Sequence, residues 1–259
     1  MSIILNETKQ ANHILKTGEL GSKPTSSLFL LGKYYSQKEQ LNTEQTFCKL
    51  DEFMRQHEKN YNPALWESKL EDIAKKSAKY PLRELNGVPI TQSELDNIAK
   101  LPSLKYQKLL FTMLCHAKFY NTTSQQNNGW VNTSIPELYK LARITVKHRN
   151  DKFLYLNDIQ QTGLISFSTK NDNLNIQINF VDMTGEPALT VTDFRELGYE
   201  YLKFLGSETF TQCIRCGRLI KKTNNKCRYC CDCAKFRKIQ YNKRYYEANL
   251  RKIESAKIP

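Results

Sequence analysis

Apolar residues recur at helical spacing through residues 1–100 and then change rhythm. Asn6 to Lys16 reads as a short helix closed by Gly18 and Gly21. Thr25 can cap a second helix to about Lys38, with Leu28, Leu31, Tyr34 and Tyr35 on one face. Thr43 can cap a third, in which Phe47, Leu50, Phe53 and Met54 keep the same period. Asn62-Pro63 opens a fourth, with Pro63 in the first turn and Leu65, Trp66, Leu70, Ile73 and Ala74 inward, until Pro81 stops it. After an extended piece at Val88 to Ile90, Thr91-Gln-Ser-Glu94 is a capping box that starts a helix to about Lys100. Residues 1–100 thus predict a small helical domain without a chemical motif.

From Leu101 the order is mixed. Leu104 to Tyr120 is an apolar helix, Asn121 to Asn128 a polar linker expected to be mobile, and Trp130-Val131 a short extended piece. Ser134-x-x-Glu137 with Pro136 starts a helix from Ile135 to Arg143, and a tight turn at Ile144-Thr145 leads into another from Val146 to Gln161. Leu164 to Ser168 and Leu174 to Phe180 then alternate as the arms of a β-hairpin, with a polar tip between them. Over residues 101–185 this order resembles a winged helix-turn-helix domain, used for DNA or for protein contacts. The resemblance implies that the second helix of the turn meets the major groove and the hairpin meets the backbone. Lys147, His148 and Lys152, on the face opposite Val146, Phe153 and Leu156, are the candidate groove contacts, and Lys170 at the hairpin tip a phosphate contact. Residues 186–209, a strand at Ala188 to Thr192 and a helix from Phe194 to Leu205 capped by Asp193, read as a joint to residues 210–259.

Charge separates that last segment from the rest. From Cys213 onward there are 14 Lys and Arg against three acids, whereas the other 212 residues carry 25 against 23, within an overall net charge of +13. A concentrated basic segment favours nucleic acid as partner, DNA first and RNA second. Six of the eight cysteines lie here too, within 21 residues. The start of the chain does not read as a signal peptide, and no apolar run reads as a membrane span, so the expected compartment is the cytoplasm, where clustered cysteines bind metal rather than pair as disulfides.

Cys213-x-x-Cys216-Gly and Cys230-x-x-Cys233 are spaced as two turns that aim four thiolates at one Zn2+. Cys227-x-x-Cys230 is a competing pair, and Cys231 a further thiol; Cys48 and Cys115 read as core. Leu219-Ile220 to Lys226 predicts a hairpin turning at Thr223 to Asn225, followed by a helix from Ala234 to about Ser255 whose start holds the last two ligands. Knuckle, hairpin and ligand-bearing helix are similar to treble-clef and zinc-ribbon modules. On the helix, Phe236, Ile239, Tyr246, Leu250 and Ile253 form an apolar stripe expected to pack on the body or on a second copy. Arg237, Lys238, Arg244 and Arg251, with Tyr241 and Tyr245, form the opposite face, suited to phosphates and base stacking. Arg215, Arg218, Lys221 and Lys222 add cations to the knuckle. The stripe lacks the breadth of a membrane-surface helix.

No phosphate-cradling glycine loop, H-E-x-x-H or Gly-x-Ser-x-Gly occurs, the four histidines are scattered, and four cysteines would close a zinc against substrate, so no enzyme is expected. Leu-Gly-Lys-Tyr-Tyr, Asn-Asn-Gly-Trp-Val-Asn-Thr, Asp-Phe-Arg-Glu-Leu-Gly-Tyr-Glu-Tyr-Leu and the terminal knuckle together resemble proteins of phages and mobile elements of Gram-positive bacteria. That resemblance implies phage or mobile-element biology. The expected architecture is mainly α with small β parts: a helical N-terminal domain, a winged-helix-like middle, and a four-cysteine zinc module with a basic helix. Two functions follow, a nucleic-acid-binding protein of regulation or replication, or an adaptor that binds a host or phage protein.

Overall fold

The computed structural model describes residues 3–21, 23–124, 126–169, 175–207 and 209–255, the side chains of 149 and 250–255 excepted. The chain is mainly helical with small antiparallel sheets. It divides after Gly87 into an N-terminal unit, Ile4–Gly87, and a C-terminal unit from Val88 onward.

Four helices build the N-terminal unit: α1 (Glu7–Thr17), α2 (Pro24–Gln37), α3 (Thr43–His57) and α4 (Pro63–Ser77). Leu28, Leu31, Leu50, Phe53, Met54, Leu70, Ile73 and Ala74 meet in one core, as their spacing predicts. The caps differ from the sequence reading by a residue or two. Asn42 rather than Thr43 caps α3, because its amide oxygen accepts the Gln45 N–H while the Gln45 side chain returns to the Asn42 N–H. In α2, Pro24 supplies the first turn and no side chain caps it. Leu65 and Cys48, both expected inside, are exposed. The buried carboxylate Glu7 accepts from Lys33 and from Arg83 (2.9 Å), tying α1 to α2 and to the segment after α4.

The C-terminal unit begins with β1 (Val88–Thr91) and α5 (Gln92–Ala99). β1 pairs antiparallel with β5 (Pro187–Val191), Val88 opposite Val191. That ladder is why the division falls at Gly87 and not near residue 100, and why 186–209 belongs to the body rather than to a joint. At the centre lies α6 (Leu104–Thr123), buried on every side from Leu109 to Phe119. Within that stretch the buried cation Lys118 donates to Glu94 (2.7 Å) and to the Asp182 carbonyl (2.5 Å). Glu94 also accepts the N–H groups of Thr91 (2.8 Å) and Asp182 (2.8 Å), so the capping carboxylate of α5 doubles as a buried counter-ion. After α6 the described part of the polar segment is an ordered turn: Asn121 and Asn127 bond each other at 2.8 Å, and Asn121 also takes the Gly129 N–H at 2.9 Å.

Then follow β2 (Trp130–Val131), α7 (Ile135–Leu141), α8 (Arg149–Gln161), β3 (Ile165–Phe167) and β4 (Ile176–Ile178), with the sheet ordered β2-β4-β3. Helix–strand–helix–helix–hairpin is thus the observed succession. Yet α8 starts three residues later than its apolar pattern indicates. Ile144 to Val146 lies outside any helix or strand, and His148 occupies the N-cap position with its N–H on Asp151 (3.3 Å). The rotation of α8 differs as well. Leu156 and Ile159 are buried, while Phe153 (43% exposed) and Leu154 (59%) point to solvent. α9 (Leu197–Phe204) packs on α6, with Tyr201 against Phe111 at 5.1 Å.

Candidate metal centre and basic helix

β6 (Phe210–Gln212) and β7 (Leu219–Lys221) pair antiparallel, Thr211 opposite Ile220. The first cysteine turn is therefore the loop of this hairpin. That corrects the hairpin expected between Leu219 and Lys226: the partner of β7 precedes it in the chain. Inside the loop the Cys213 N–H donates to the Arg218 carbonyl (2.9 Å) and the Gly217 N–H to the Cys213 carbonyl (2.8 Å). Gly217 sits at φ 70°, a left-handed backbone that closes the turn and suits glycine. The second cysteine turn leads into α10 (Cys231–Ser255), and the Ala234 N–H bonds back to the Cys230 carbonyl at 2.9 Å. The Ile214 N–H to the Arg228 carbonyl, 3.1 Å, fastens one turn to the other.

These contacts bring the sulfurs of Cys213, Cys216, Cys230 and Cys233 within 4.8 Å of one another. Cys216 and Cys230 stand 3.7 Å apart. Four thiolates bound tetrahedrally at about 2.3 Å would be separated by about 3.8 Å, so the set fits a zinc ion. Cys227 lies outside it; its sulfur faces the Lys221 carbonyl at 3.8 Å, and Cys231 is exposed on α10. Burial pushes the Cys216 and Cys233 thiols up, and close sulfur neighbours add to this at Cys233. Burial acts the same way on Cys213, but backbone N–H groups of Cys230, Cys216 and Arg215 outweigh it and bring that thiol below its ordinary value. Without a cation, four thiolates so close repel one another; a dication removes that penalty.

No known protein family, curated protein or solved structure matches this chain.

The structure divides the candidate cations. Arg215 lies over the Phe236 ring (3.5 Å) and Arg237 over Tyr229 (4.4 Å). Arg218 donates to Asp232 in the first turn of α10 (2.8 Å) and lies 3.8 Å from Glu196. These three arginines fasten α10 to the knuckle. Lys221, Lys222, Lys238 and Arg244 are exposed. Among the described residues, Lys238 and Arg244 have no ion-pair partner. Lys147 and His148 are exposed before α8, whereas Lys152 turns inward over the Tyr139 ring at 5.6 Å. Lys170 and the side chain of Arg251 lie outside the described residues.

Among the described side chains, the apolar stripe of α10 is not covered by the body. Phe236 is 37% exposed, Ile239 63% and Tyr246 68%. Beyond Cys233, every described side chain to Ala248 is exposed except the half-buried Gln240. α10 therefore runs 25 residues, about 37 Å, from the metal centre, with its described side chains beyond Cys233 mostly in solvent. Among the described residues no helix is long and apolar enough to cross a membrane.

Sequence spacing located the four sulfurs. It missed Glu196, Asp232 and Tyr229, which hold the knuckle arginines; only the fold brings Glu196, in the 3-10 turn Phe194–Glu196, beside residue 218.

Proposed function

We propose that this protein binds nucleic acid, duplex DNA foremost, with a zinc-braced knuckle that presents α10. The observation that carries the reading is the exposed cationic face of α10, with Lys238 and Arg244 beside Tyr241 and Tyr245, on a helix that the described contacts clamp at its metal end. Zinc acts there as a brace: the four-cysteine set leaves no place for substrate. Cations along one face track phosphates, and tyrosines between them stack on bases or sugars. The β2-β4-β3 sheet with α6, α7 and α8 supports a winged helix-turn-helix reading of the middle. In that reading Lys147 and His148 contact the backbone, and Lys152 does not.

Fluorescence anisotropy with a labelled duplex tests this. Binding is expected to fall steeply with salt and to vanish on truncation near residue 210. Tight binding by the truncated chain would remove α10 from the account.

A second reading has its own observation. The solvent face of α8 carries Phe153 and Leu154 next to Asn157 and Asp158, which is apolar and acidic rather than basic. That face suits a protein partner, and a phage or mobile-element adaptor docking on replication or transcription machinery fits it. Absence of duplex binding at low salt, with capture of a defined protein lost on Leu154→Asp, would favour the adaptor.

A further inference from the structure

Two separate routes lead from the cysteine centre to one residue of the α7–α8 turn, Arg143. The first runs through charge. The Arg218 carbonyl is part of the cysteine loop, and its guanidinium lies 3.8 Å from Glu196. Glu196 is 2% exposed and accepts from both Nε and Nη2 of Arg143. The second runs through rings. β6, which leads into Cys213, sets Phe210 against Tyr199 of α9 at 5.4 Å, and the Arg143 guanidinium lies 5.4 Å over that same Tyr199 ring.

Arg143 needs such support. Its φ is 53°, a left-handed conformation that crowds the Cβ of any residue with a side chain against the following carbonyl. Lys108 donates to its carbonyl (3.1 Å), and the Ile144 N–H closes on Tyr139 (3.0 Å). Behind it, Gly198 of α9 meets the Ala142 carbonyl so closely that a Cβ would overlap it. The turn that aims α8 is thus pressed onto α9 and the 3-10 turn, and the cysteine module contacts the same elements. Arg195, held by both oxygens of Asp193, completes the contact 4.0 Å from where a Cβ of Gly217 would stand.

We infer that Arg143 and Glu196 are positioning residues that couple metal occupancy of the cysteine centre to the orientation of α8. With metal bound, the loop holds Arg218 and Phe210 in place, and Glu196 stays out of water. Without it the loop loses its cross-link, water reaches Glu196, and an ion pair whose carboxylate was buried becomes a solvated one worth less. Arg143 then lacks what keeps it left-handed, and the turn relaxes. Whatever α8 contacts, nucleic acid or protein, it is offered correctly only by the loaded chain. This rests on the zinc half of the reading above and needs neither ligand of α8 to be known.

Hydrogen exchange on the full chain, zinc-loaded and chelator-stripped, tests the coupling, with zinc content measured first. Stripping is expected to raise exchange at residues 142–148 about tenfold or more, while the α6 amides keep their protection. Arg143→Gly accepts the left-handed backbone but severs both routes. Its zinc content should stay that of the parent, and its response at 142–148 should shrink to about twofold or less. A turn indifferent to metal, a loss of protection shared equally by α6, or a full response in Arg143→Gly would each overturn the coupling. A chain that takes up no zinc fails the metal reading itself, and the content assay reports this before any exchange is measured.

Discussion

Cys227 and Cys233 are each separated from Cys230 by two residues, and spacing alone does not choose between them. The fold chooses: the segment after β7 turns Cys227 back towards the Lys221 carbonyl, while the first turn of α10 carries Cys233 inward. Cys227→Ser is therefore expected to keep equimolar zinc by elemental analysis. Cys230→Ser should lose it, together with the folded knuckle, because structural zinc contributes about 10–16 kcal/mol of folding energy in small modules. Equal zinc loss in both variants would break the assignment. His116 makes a second single-residue case. It is buried in α6, its Nδ1 2.8 Å from the Thr133 hydroxyl, and burial lowers its pKa to about 3. The unfolded chain takes up that proton near pH 6.5, so below this the unfolded state binds more protons and stability falls. The contribution is complete above about 6.5 and is lost as pH drops towards 3. Between pH 7 and 5 the parent should lose about 2 kcal/mol more than His116→Asn in urea unfolding. Parallel curves for the two proteins would show that the imidazole is not the group responsible.

At the scale of elements, what the sequence made legible was what local periodicity encodes. α3, α4 and α6 keep apolar residues at helical spacing, and the Thr91–Glu94 box marks the start of α5 with no help from elsewhere. Elements defined by distant partners were not legible. β6 has three residues, and its identity comes from pairing with β7 across the cysteine loop. The rotation of α8 follows from what α6 and α7 offer it: Tyr106 at 5.1 Å draws Tyr155 inward, and Tyr139 draws in Lys152, leaving Phe153 and Leu154 outside. For α10 the two faces were legible, but the bareness of the apolar one was not, since periodicity reports a stripe and not its cover. The function proposed for α10 has a measurable slope. Each phosphate that the protein no longer neutralises lowers the dependence of log K on log salt by about 0.9 for duplex DNA. Replacing Lys238 and Arg244 together by Gln should lower it by about 2 while leaving zinc content intact. The same double change at Lys75 and Lys76 of α4 should leave the slope untouched. If both pairs act alike, charge in bulk and not α10 governs binding.

On the scale of the whole molecule, the division after Gly87 separates two kinds of work. The N-terminal unit has its own core, from Ala11 to Ala74, and its buried ion set, Glu7 with Lys33 and Arg83, closes within itself. The C-terminal unit closes through β1 and β5 and holds the cysteine centre and α10. A core formed entirely inside one stretch of chain folds without the other, and this stretch is well above the length at which a single core fails. Residues 1–87 expressed alone are thus expected to unfold cooperatively, with helical circular dichroism. Residues 88–259 should bind equimolar zinc and retain the duplex affinity and salt slope of the full chain. Cutting instead at residue 100 removes β1 and α5, leaves β5 without its ladder partner, and strips Lys118 of the Glu94 carboxylate. Leaving one member of a buried ion pair alone costs about 3–5 kcal/mol. The 101–259 fragment should therefore be markedly less stable than 88–259 in urea, though it differs by only thirteen residues. Equal stability of the two fragments would show that the β1–β5 ladder does not define the unit. Loss of duplex binding in a well-folded 88–259 would move part of the recognition into the N-terminal helices.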